Sequence, residues 1–199
     1  MQRLHRLADA VSRAGALVGG ILLLVAAIII GIDILMRYAF ARSIGGADEL
    51  SGYALAIATA WGLSFTLVHR AHIRIDSLYE LFPVWIRAAL DVLSLLAFML
   101  FMGLTTWGAW GVLAQSSTSM ARSISALDTP VVFPQALWFT GFVFLMLVLL
   151  LLLVEAVSAW AKGDMRAVAR LIGSKAVIEE VQEEIQQATP TLAHKGRRS

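Results

Sequence analysis

Four stretches of this chain contain no aspartate, glutamate, lysine, arginine or histidine: Ala14–Ile32, Leu50–Val68, Val92–Ala114 and Thr129–Val154. They are 19, 19, 23 and 26 residues long. A helix needs about 20 apolar residues to cross a hydrocarbon core of roughly 30 Å, so each stretch is long enough. Lipid offers nothing to an open backbone, which leaves helices and closed barrels as spanning structures. These stretches are continuously apolar and do not alternate, so helices follow. The predicted fold is all-α: an integral membrane four-helix bundle with short interfacial helices and spans at 14–36, 50–68, 90–114 and 131–156. Composition agrees. Hydrophobic residues make up 59% and charged residues 15%, against roughly half and about a quarter in a soluble domain.

The first apolar run is too long for the hydrophobic region of a cleavable signal. Asp33 to Arg37 follow it with no small-residue cleavage site, so it is expected to remain as an anchor. The chain has no cysteine, which removes disulfides, thiolate chemistry and cysteine-ligated metals. Its sequence pI near 9.3 raises nucleic acid only until the basic residues are located, because they flank the spans. Arg3, Arg6 and Arg13 precede the first span, and Arg70, Arg74 and Arg87 surround the second connection. Lys162, Arg166, Arg170 and Lys175 follow the fourth span, whereas the opposite side holds Arg37, Arg42 and Arg122. Short cytoplasmic loops carry the excess of Lys and Arg, so both termini are expected in the cytoplasm and no nucleic acid is expected as a partner.

The organisation predicted is one membrane domain, 14–160, with two appendages. Residues 1–13 place Leu4, Leu7 and Val11 on one face, away from the arginines, as in an arm lying among headgroups. Ser77–Arg87, with Tyr79, Phe82, Pro83 and Trp85, is a second interfacial stretch. The tail, 161–199, offers a short helix over 174–188 with Val177, Val181 and Ile185 on one face and four glutamates on the other. That acidic face is repelled by anionic lipid, so the helix is read as solvated or paired with protein.

Chemistry is sparse. The charge-free interiors hold no histidine, which excludes axial haem ligation and leaves Ser64 without a base. His69, His72 and Asp76 have the i, i+3, i+7 spacing of metal ligands on a helix. Three hydrophilic residues just beyond a span are ordinary, however, and a metal needs a fourth ligand and an ordered surround. No metal, cofactor or catalytic residue is expected. Asp33 and Arg37, four apart, form a local pair on one helical face. Gly15 and Gly19 form a GxxxG that allows close helix packing. There is no internal repeat and no mid-span proline of the kind that secondary carriers use to build a site.

One block is more specific. Arg37-Tyr38 ends the first span, Asp48-Glu49 opens the second, and Trp61-Gly62 lies within it. His72-Ile73-Arg74-Ile75-Asp76 and Leu81-Phe82-Pro83 follow, then Gln115-Ser116-Ser117 and an entry to the fourth span bearing Pro130 and Pro134. Over residues 20–160 this order resembles the small permease subunit (DctQ type) of tripartite ATP-independent periplasmic, or TRAP, transporters. The resemblance implies a scaffold beside a large multispanning permease subunit. That pair would take up an organic acid such as a C4-dicarboxylate, driven by sodium, across a bacterial inner membrane. A periplasmic solute-binding protein would deliver the substrate. It also implies that Asp48 and Glu49, with Arg37 and Arg42, tie the first two helices or meet a partner on the periplasmic face. His72, Arg74 and Asp76 would fix the second connection on the cytoplasmic side. Gly45-Gly46-Ala47 departs from the family pattern, which has an aromatic before the acidic pair. The alternative from another class is a membrane anchor subunit of a respiratory or redox complex, which histidines within the spans would have favoured.

Overall fold

The structure is a computed structural model and describes residues 2–69 and 82–163. Four helices account for most of them: α1 (Gln2–Phe40), α2 (Ala47–Val68), α3 (Val84–Thr118) and α4 (Val132–Ala161). All four are long and apolar enough to cross a membrane, and no strand occurs among the described residues. The fold is an all-α membrane four-helix bundle.

Each helix overruns its charge-free stretch. α1 continues without a break through residues 2–13, because nothing between Asp9 and Leu17 stops a helix. Its 39 residues give a rod of about 58 Å, nearly twice the hydrocarbon thickness. α3 starts directly after Pro83, whose φ of −63° suits a residue leading into a helix. It runs on to Thr118, so Gln115-Ser116-Ser117, expected in the third connection, forms its last turn instead. α4 carries Pro134 in its first turn, where the missing N–H has no intrahelical partner to lose.

The longer helices also correct the picture of spans without charge. Asp33 in α1, Asp91 in α3 and Glu155 in α4 are all buried. They lie just outside the charge-free stretches; the 41–46 loop meets Asp33, and His5 of α1 meets Glu155.

α1 packs on α2, α2 on α4, and α4 on α3. α4 is the axis, and its Leu145, Leu149 and Ala156 are fully enclosed. Close approach depends on glycine. A Cβ on Gly19 would come within 2.9 Å of the Ala58 backbone, and one on Gly15 within 2.6 Å of the Trp61 ring. The GxxxG is thus spent inside the chain, on the α1–α2 contact. Trp61 is also pressed on its other side, since a Cβ on Gly141 of α4 would lie 2.9 Å from its ring. Its Nε1 donates to the Leu137 carbonyl at 3.0 Å, and its ring stacks on Phe144 with centroids 5.7 Å apart. One aromatic side chain therefore joins three helices.

Candidate functional site

The polar groups of the bundle collect at its two ends. One end carries the loops 41–46 and 119–131, and here the first connection is tied to the helix it leaves. Asp33 Oδ1 accepts hydrogen bonds from Ser43 Oγ at 2.8 Å and from the Ile44 backbone N–H at 2.7 Å. Its Oδ2 lies 2.6 Å from Arg37, one turn on. The pair expected from sequence is present, with a loop as its third member. Arg37 also reaches Asp48 at 3.9 Å, across to α2. Arg42 is exposed.

The turn into α2 explains the two glycines. Gly45 and Gly46 have φ of 73° and 85°, the left-handed region that residues with a Cβ avoid. Gly46 also faces Leu127 so closely that any side chain would run into it. The turn needs both the backbone freedom and the space that glycine gives.

Glu49 is the centre of this end. It sits in the first turn of α2, where the helix dipole favours negative charge. From its own helix, one turn on, the Tyr53 hydroxyl donates to it at 2.7 Å. From the third connection, Ser123 Oγ donates to it at 2.5 Å, and Ser125 Oγ donates as well. The same two hydroxyls accept backbone N–H groups of Ser125 and Leu127, so carboxylate and loop fix each other. A bridge between Arg122 and Pro130 narrows the loop, and Arg122 lies 2.6 Å from Asp128. The result is a rigid hairpin-like tip whose Ile124 is wholly exposed.

The other end joins helices rather than loops. His5 Nε2 meets both Glu155 oxygens, at 2.7 and 2.6 Å, linking α1 to α4. Asp9 is bonded by Arg13 at 3.0 Å and lies 3.1 Å from His69 Nε2, without the alignment of a hydrogen bond. The carboxylates thus face histidines on different helices, and no cluster of three metal-ligating side chains forms among the described residues. Ser64 is fully buried, and its Oγ finds no partner among the described residues. His72, Arg74 and Asp76 lie outside the described residues, as does the helix expected over 174–188.

Ser123, Ser125 and His5 were not singled out from sequence. Their partners stand 74, 76 and 150 residues away, and a single hydroxyl or histidine carries no mark of such pairing. Asp9, bonded to Arg13, was not singled out either, although the i, i+4 spacing is the signal that could have found it.

The family model described as the DctQ component of tripartite ATP-independent periplasmic transporters matches residues 26–159. The chain belongs to the DctQ family. It is therefore a small subunit of a TRAP transporter and a multi-pass membrane protein. The match runs from the middle of α1 almost to the end of α4, so it takes in the Asp33 tie, the Glu49 hub and Trp61. No curated protein and no solved structure matches the chain.

Proposed function

We propose that this DctQ-family chain is the fixed, non-catalytic partner of a large transport subunit in a bacterial inner membrane, with both termini in the cytoplasm. The pair takes up an organic acid, such as a C4-dicarboxylate, with sodium, and a periplasmic solute-binding protein supplies the substrate. The supporting observation is where the polar groups lie. They are concentrated at the two ends and are mostly engaged in holding helices and loops together, while the outward flanks of α1 and α3 are apolar and uncovered. Such a body suits a support against which another membrane subunit moves. In this reading the loop end faces the periplasm. Asp33, Glu49 and Arg37 hold its shape, and the exposed Arg42, Asp48 and Ile124 are available to a docking protein.

The test is an affinity pull-down of the chain, tagged at its C-terminus, from membranes in mild detergent, with copurifying proteins identified by mass spectrometry. The expected result is a stoichiometric large multispanning partner whose uptake of an organic acid requires sodium and this chain. Recovery of the chain alone, or with redox subunits, would overturn the proposal.

A further inference from the structure

An apolar groove of about 480 Å³ runs between the start of α1 and the second half of α4. Leu4, Leu7 and Val11 form one wall, and Phe144, Leu151 and Val154 stand on the other. The α1 residues are the face that sequence assigns to the headgroup region; here they turn toward α4 and leave a channel. From Phe144 to Val154 the groove is about 15 Å long by helical rise, which is the depth of one leaflet of a ~30 Å core.

The charges around it are not balanced. Glu155, next to Val154, is taken by His5, and Arg13 by Asp9. Arg3 and Arg6 are exposed, and among the described residues neither has an ion-pair partner. Arg3, four residues before Leu7, stands at the edge of the leucine face, and Arg6, one turn on, stands beside Arg3 just outside that face. An apolar slot one leaflet deep with two unpaired guanidiniums beside one end matches a molecule with an acyl chain and an anionic head. A transmembrane segment of another protein would fill the slot and leave both guanidiniums unanswered.

We propose that this groove is a binding site for an anionic phospholipid, with one acyl chain between α1 and α4 and its phosphate at Arg3 and Arg6. The site requires membrane insertion only, so it stands apart from the proposed transport role. Arginine binds phosphate through paired N–H donors as well as charge.

Native mass spectrometry of the full chain, purified with whatever subunit accompanies it, tests this with phosphatidylglycerol or phosphatidylcholine of identical chains added. Wild type should retain phosphatidylglycerol in preference, by roughly fivefold for each arginine engaged. R3Q/R6Q should bring the two lipids level, and L7W, which fills the slot without touching charge, should lower retention of both. Equal retention of the two lipids by wild type, or a preference that survives R3Q/R6Q, overturns the proposal. So does a photo-crosslinker at Leu7 that captures a polypeptide, whether a partner or the chain's own tail, instead of lipid.

Discussion

α1 and α4 are equally apolar over their best membrane windows, yet 33% of the α4 window is buried and only 11% of that of α1. In water such a pair would compete for the core. In lipid the hydrocarbon is as good a surrounding as another helix, so hydropathy reports the solvent and says little about burial. What separates the two helices is contact chemistry. α4 touches both α2 and α3 and offers Gly141 to Trp61, whereas α1 spends Gly15 and Gly19 on α2 alone. Gly20 and Gly31 of α1 would admit a Cβ with nothing near. The axis of the bundle is set by where helices come close, and the rim is whatever remains.

The sharpest way to break that contrast is at Trp61, where axis and rim meet through α2. Trp61→Ala removes the ring between Gly15 and Gly141 and its bond to Leu137. A cavity of this kind costs about 3–5 kcal/mol in soluble cores. About 3 kcal/mol is expected here, because the lost contacts are not compounded by transfer from water. Thermal unfolding of the detergent-solubilised chain should show the largest drop in Tm of any variant named below. Gly141→Leu attacks the same point by overpacking, with an expected loss of about 1–3 kcal/mol. Gly20→Leu on α1 adds the same atoms in open space and should leave Tm unchanged. Equal loss at Gly20 and Gly141 would remove the distinction between axis and rim.

Much of this architecture was legible in the sequence, for a physical reason: runs without charge long enough to cross a bilayer have few other fates. The Asp33–Arg37 pair was legible because helix periodicity places i and i+4 together. Helix limits were less so, since the run of charges from Arg3 to Arg13 looks like a boundary but breaks no helix. The roles of Trp61, Ser123 and Ser125 were not legible at all. Each depends on which helices are neighbours, and the apolar spans carry no register that would say so. Glu49 was picked out as a helix-terminal charge, but its grip on the third connection comes from residues more than 70 positions away.

The contrast can be sharpened at the loop end, where α2 and the third connection meet. Glu49→Gln keeps the shape of the side chain and removes the charge that Ser123, Ser125 and Tyr53 answer. Hydrogen bonds to a charged group contribute about 1.5–3 kcal/mol each at most, and part of that is recovered by the amide oxygen. Glu49 is only half-buried, so water also answers the released hydroxyls, and the overall loss should fall below that at Trp61. The local effect should exceed the global one, with trypsin cutting after Arg122 several-fold faster in the variant while Tm falls only modestly. An unchanged cleavage rate would mean that the bridge between Arg122 and Pro130 holds the loop without Glu49.

The smallest effect expected lies where the end of α1 faces the start of α2, and one arginine meets two carboxylates. Arg37 is 2.6 Å from Asp33, whose side chain is 4% exposed, and 3.9 Å from Asp48, whose side chain is 91% exposed. The exposed pair is screened by water and holds two mobile side chains, so Asp48→Asn should cost about 0–1 kcal/mol. Asp33→Asn breaks more than the contact with Arg37. The replacement amide keeps one acceptor for Ser43 and the Ile44 N–H, but it loses the charge that makes those bonds strong and presents a donor toward the guanidinium. A loss of about 1–3 kcal/mol follows from leaving such a buried network half-answered. Measured side by side by thermal unfolding, Asp33→Asn should be clearly the more damaging. If the two were equal, the first connection would be held by Gly45 and Gly46 fitting under Ala126 and Leu127, and the rim helix would owe its end to loop packing instead of charge.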